Sequence, residues 1–226
     1  MKKFIMFLAL VAMVSCSKDD DSNNVAEDDV AGAQLYLKSA TVQYANGNPI
    51  EVEFEYNDDK ELTDLYLGTS HYEITYKNGY VKIFKSSNTT LEFGYDNNNV
   101  LTTITTDGVE QAVAYDDEER SYTMGDVVYT VNEDNDLSVA AYEGQQGTFL
   151  GYDAEKRGAI FNYPTKNPFW IFTFISGPSI FSNKACTSYG TTEIENTFND
   201  DGYLIKAVYR LGGVLQNTII YTYEEL

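Results

Sequence analysis

Oxygen-bearing side chains dominate the chemistry available to this chain. Asp and Glu together number 35, against 15 Lys and Arg and a single His, for a formal charge of −20. Asn132-Glu133-Asp134-Asn135-Asp136 places oxygen ligands at alternate positions. It lacks the Gly and the distal bidentate Glu of a helix–loop–helix calcium loop. Calcium is therefore a candidate ligand only through clustering of neighbouring turns, with Asp134, Asp136, Asp116 and Asp117 as the donors. The competing reading is turn chemistry: Asx side chains such as those of Asp58, Asp96, Asp116 and Asp200 cap their own backbone. Acidic pairs are so frequent that none stands out as the carboxylate couple of a glycosidase, which must sit at a defined separation in a cleft. Cys186 is the one cysteine beyond the N-terminal region, and a nucleophilic role would need His71 beside it. His71 falls on the polar face of its segment with Glu73 and Lys77. There is no phosphate loop, zinc motif or Gly-x-Ser-x-Gly elbow. We expect no enzymatic activity and no cofactor, calcium excepted. The acidic balance also excludes nucleic acid, which demands a basic footprint.

The N-terminus carries chemistry of another kind. Met1-Lys2-Lys3 is followed by an apolar run from Phe4 to Val14, too short to span a bilayer, and then by Ser15-Cys16. This pattern resembles a bacterial lipoprotein signal, with Met13 where such signals usually carry Leu. The resemblance implies cleavage after residue 15 and lipid on Cys16, which would attach the protein to membrane. Loss of residues 1–15 takes Lys2 and Lys3 and no acid, so the formal charge moves from −20 to −22. Ser17-Lys18-Asp19-Asp20-Asp21 is similar to the tag that exports lipoproteins to the cell surface in Bacteroides-like bacteria, which implies an outer-membrane anchor and an exterior location. Residues 16–33 hold almost no large apolar side chain and read as an acidic tether.

From Gln34 onward the periodicity is two. Ile50-Glu51-Val52-Glu53-Phe54-Glu55-Tyr56 alternates without a break, and Tyr72 to Lys77 does the same. Turn signals recur every 8 to 12 residues. Asn78-Gly79 and Asp107-Gly108 suit two-residue hairpins, whose central residues need positive φ. An aromatic precedes an Asp or Asn turn at Tyr56, Tyr76, Tyr95, Tyr115 and Tyr152, the first three steps being 20, 19 and 20 residues. Leu62, Leu101 and Leu137 then restart the next strand. Residues 34–226 thus read as an all-β antiparallel meander of repeated hairpins. So many strands cannot lie flat; they form a strongly curved single sheet or partly open barrel, with a two-sheet sandwich as second choice. Alternate turns then collect at opposite ends, an acidic rim (57–60, 78–79, 96–99, 116–119, 132–136, 153–156) and a nearly neutral one (68–70, 86–88, 107–108, 125–126, 144–147).

These units resemble the tyrosine–aspartate repeats of large bacterial surface proteins. Phe198-Asn-Asp-Asp-Gly-Tyr-Leu-Ile-Lys-Ala, the ending Tyr221-Thr-Tyr-Glu and Lys166-Asn167-Pro168-Phe169 resemble a family of Bacteroides surface lipoproteins of unknown function. The resemblance implies an all-β lipoprotein domain and assigns no catalytic residue. Residues 158–190 interrupt the meander with Pro164, Pro168, Pro178 and the run Phe169 to Ile175, which includes the only Trp. Either the insert plugs the concave face, or Phe169, Trp170 and Phe172 wall a ligand pocket. The expected role is a surface-exposed binding module for a glycan or an envelope or host protein, or else a structural accessory lipoprotein with no small ligand.

Overall fold

A computed structural model describes residues 34–142, 144–163 and 179–226. Cys16, the signal and tether, and Phe169, Trp170 and Phe172 lie outside the described residues. Residues 32–226 make one compact unit that contains every described strand and the described core. The strands are β1 (Leu35–Tyr44), β2 (Ile50–Tyr56), β3 (Leu62–Leu67), β4 (Ser70–Lys77), β5 (Tyr80–Ser86), β6 (Thr90–Tyr95), β7 (Leu101–Thr106) and β8 (Val109–Asp116). They continue as β9 (Ser121–Met124), β10 (Val127–Val131), β11 (Leu137–Tyr142), β12 (Thr148–Arg157), β13 (Lys184–Tyr189), β14 (Thr192–Phe198), β15 (Leu204–Leu211) and β16 (Val214–Glu225).

Each strand pairs antiparallel with its neighbours in sequence, and β1 pairs with β16 from Leu35↔Glu225 to Tyr44↔Asn217. The expected curved meander is therefore a fully closed barrel, and closure leaves no unpaired edge. The alternation in β2 sets the wall: Val52 and Phe54 are buried, while Glu51, Glu53 and Glu55 are exposed. The same polarity runs around the ring, with Ile74, Phe84, Phe93, Ile104, Val113, Leu150 and Ile194 inside one continuous apolar core.

The odd-numbered strands depart from strict alternation for a local reason. Leu62 and Leu65, Val81 and Phe84, and Leu101 and Ile104 are all buried although three residues apart. A β-bulge absorbs the extra residue: the register slips between Glu55↔Asp64 and Tyr56↔Leu62, and again between Gly94↔Thr103 and Tyr95↔Leu101. The bulged Thr63, Thr102 and Ser138 donate their hydroxyls to Glu55, Gly94 and Thr130 carbonyls at 3.3, 3.2 and 2.9 Å. The repeat tyrosine closes the same unit from the next strand. Tyr76, Tyr95, Tyr152 and Tyr223 donate their hydroxyls to the carbonyls of Leu62, Val81, Leu137 and Leu204 at 2.7 to 2.9 Å. A half-buried phenol thereby satisfies a carbonyl at the point where the bulge interrupts the ladder.

Barrels of this strand number leave an aqueous channel when they are round and lined with polar residues. Here the inward side chains are apolar, and the two flanks of the insert help to fill the space between the walls. Ala159, Ile160, Ile180 and Phe181 are buried. Phe181 packs on Phe54, and Tyr163 on Tyr56, at ring separations of 6.0 and 5.5 Å. Ser179 is held by both Tyr209 and Tyr221, whose hydroxyls donate to its Oγ at 2.6 Å and its carbonyl at 3.1 Å.

Candidate functional site

The meander puts the turns that follow even-numbered strands at one rim and the remaining turns at the other, as the spacing predicts, except that residues 153–156, expected as a turn, lie within β12, which runs on to Arg157. At the first rim the turn geometry repeats. Asn57, Asp96, Asn132 and Asn199 each accept a backbone amide with the side-chain oxygen, at 2.8 to 2.9 Å in the bonds from Glu61, Asn98, Asp136 and Tyr203. The fourth residue of each turn is left-handed: Lys60, Asn99, Asn135 and Gly202 have φ of 65°, 62°, 61° and 80°. Asp96 and Asp116 cap as expected. At the other two turns the capping falls one residue earlier, to Asn57 in place of Asp58 and to Asn199 in place of Asp200.

Three of the four carboxylates proposed for calcium have other engagements. Asp116 accepts the amides of Glu118 and Glu119, both at 3.0 Å; Asp117 is exposed beside it. Asp134 lies 3.8 Å from Lys184 Nζ. Asp136 is only 2% exposed and turns inward. Its carboxylate accepts the backbone amides of Asn183 and Lys184 at 2.6 and 2.8 Å, and Asn183 Nδ2 at 3.3 Å. Burial raises its pKa to about 6, against the opposing pull of those amides. Arg120 spans the two turns, donating from one guanidinium nitrogen to the Asn132 carbonyl at 2.9 Å and to Asn135 Oδ1 at 3.2 Å. A protein cation therefore already bridges the segments that were expected to share a metal. Among the described residues no three His, Cys, Asp or Glu side chains group as a metal site.

Cys186 and His71 do not form a catalytic pair. Cys186 is buried on β13, and desolvation pushes its thiol up to about 12, away from the thiolate a nucleophile needs. His71 lies on the outer face of β4, its Nε2 2.7 Å from Asp64 Oδ1 and its ring stacked on Tyr66 at 4.5 Å. Among the described residues, clefts open at both rims. One, of about 450 Å³ at the acidic rim, is lined by Lys77, Lys82, Tyr80, Tyr95, Asn78 and Asn97. The other, of about 310 Å³ at the neutral rim, lies over Tyr72, Phe84 and Leu91 with Ser70, Ser86 and Asn88 around it. Neither aligns a nucleophile with a base. The aromatic pocket expected at Phe169, Trp170 and Phe172 falls outside the described residues, while the described flanks of that insert are packed into the core.

Sequence reasoning did not single out Arg120, Asn183 or the inward turn of Asp136. Asp136 stands one residue before the apolar Leu137 that restarts a strand, and that adjacency is the only local sign of its burial. Fold and site together define a closed, apolar-filled antiparallel barrel with chemically distinct rims. No family model matches the chain, and no curated protein matches it. Neither search therefore supports a tyrosine–aspartate-repeat or lipoprotein family. Among solved structures the chain is similar to a porin-like protein from Bacteroides uniformis ATCC 8492, with a TM-score of 0.49 and 13% identity over 83% of this chain and 98% of that one. It is also similar to a porin-like protein from Bacteroides vulgatus ATCC 8482, with a TM-score of 0.44 and 11% identity over 85% of this chain and 100% of that one. Likenesses at this level carry no argument about what the chain does.

Proposed function

We propose that this chain is a non-catalytic, lipid-anchored barrel protein of the outer membrane that acts through its outer surface and rims. The observation that carries this reading is the polarity of the wall. A membrane-spanning barrel turns an apolar band about 25 Å tall toward lipid and keeps a polar lumen. In this barrel Phe54, Leu65, Ile74 and Phe93 face inward, and Glu53, Glu55, Glu73 and Lys77 face outward. Outward carboxylates on successive strands are incompatible with a hydrocarbon surround. A filled interior removes the space a channel needs. Membrane attachment then falls to Cys16, at the cleavage point of the N-terminal signal, and the export tag after it supports an exterior orientation. A glycan or an envelope or host protein is the partner class that suits such a module. The buried flanks of the insert favour a second reading, a structural accessory protein with no small ligand.

The test is fractionation of cells expressing the full chain, with radiolabelled palmitate. The native chain should carry label and require detergent for release. Cys16→Ser should lose the label and be released without detergent. Retention of the unlabelled variant through an alkaline carbonate wash, which strips peripherally docked protein, with release only by detergent, would overturn the reading and place the strands in the bilayer.

A further inference from the structure

The rim opposite the acidic turns has a composition unlike the rest of the surface. Among the described residues ten large apolar side chains are exposed, and all but Ile220 and Leu226 lie within two residues of a turn of this one rim. Tyr44, Tyr142, Phe149, Leu211, Val214 and Leu215 fall on the arc that runs from β11 through β16 to β1, and all six are between 40% and 64% exposed. Tyr189 sits between them on β13. The sequence of this arc, residues 42–50, 140–150, 187–192 and 209–216, holds only Glu143 and Arg210 as charged residues. Arg210 is already paired with Glu195 at 3.5 Å. At the opposite rim, turns 57–61, 116–120, 132–136 and 199–202 hold twelve acids against Lys60 and Arg120.

We propose that the apolar arc is a docking surface for an uncharged or zwitterionic lipid bilayer interface. Aromatic and aliphatic side chains at turn tips, with polar backbone behind them, are the chemistry that enriches at the membrane–water boundary. Exposed apolar clusters of this kind on a soluble surface mark an interaction site. The charge distribution selects the partner. The acids concentrate at the opposite rim and the whole chain is net negative, while this arc is almost uncharged, so an anionic surface repels the protein and a neutral one does not. The covalent path agrees: the chain enters the barrel at Leu35, on the acidic rim. The 18 residues between Cys16 and Leu35 extend to at most roughly 60 Å, more than the length of the wall strands. An anchor at Cys16 therefore leaves the arc free to reach the same bilayer. This deepens the membrane-associated reading above but does not require the anchor, because the arc acts without lipidation.

The test is flotation of residues 32–226, the unit with its own core, with phosphatidylcholine vesicles. Binding is expected, weaker when phosphatidylglycerol is added to the vesicles. The double variant Phe149→Ser, Leu215→Ser should reduce partitioning about tenfold with an unchanged thermal midpoint, since both side chains are exposed. Absence of binding, or equal binding by the variant, would overturn the proposal. So would a concentration-dependent dimer in sedimentation that the same variant abolishes, which would assign the arc to a second copy. Failure here leaves the Cys16→Ser fractionation result untouched, so the two readings are separable.

Discussion

Asp136 shows how one side chain in an acidic turn becomes part of the core. Its carboxylate receives the two amides where the chain returns from the insert to β13. Burial opposes its charge, so its folded pKa is raised from 3.8 to about 6. The sign follows from proton linkage. Between these values the folded state binds more protons than the unfolded one, so this group's contribution to stability falls as pH rises from about 4 to about 6 and is flat above. The span corresponds to about 3 kcal/mol. Urea unfolding of the native chain and of Asp136→Asn across pH 4 to 8 measures it. The stability difference, native minus variant, should fall with pH inside that window. A rising difference would mean that the amides, and not desolvation, set the carboxyl's pKa.

At the scale of elements, the insert is held where its two flanks cross. Gly158 N donates to the Asn183 carbonyl at 2.7 Å. A Cβ on Gly158 would meet the backbone oxygens of Ser182 at 2.1 Å and Lys184 at 2.8 Å. Backbone cannot rotate away as a side chain does, so Gly158→Ala should cost about 3 kcal/mol in urea unfolding; a loss under about 0.5 kcal/mol would show that the crossing yields freely. Strand β2 was legible from its alternation, because a half-buried strand imposes period two. Strands β3, β5 and β7 were only partly legible. Their buried pairs, such as Leu62 and Leu65, are three apart because of a bulge, and a bulge is a property of two strands together. The repeat tyrosines were visible in the sequence, but their hydroxyl bonds to Leu62, Val81 and Leu137 depend on a neighbour's register. The donors to Asp136 lie 47 and 48 residues away, beyond any local pattern.

For the whole molecule, closure depends on pairing Leu35 with Glu225, the two ends of the described barrel. The sequence signals curvature through strand number, but nothing near either end signals the partner, so an open barrel was as consistent as a closed one. Segregation of the turns followed directly from up-and-down connectivity and needed no long-range information. On the proposal made above, a barrel filled with apolar side chains and carrying charge on its outer wall holds its strands in water. The most direct measurement is sedimentation velocity of residues 32–226 in detergent-free buffer at low micromolar concentration. A single folded species of monomer mass is the expected result. Aggregation that only detergent micelles reverse, with the β-sheet signal recovered in the micelles, would contradict the claim and put the outer wall in contact with lipid chains.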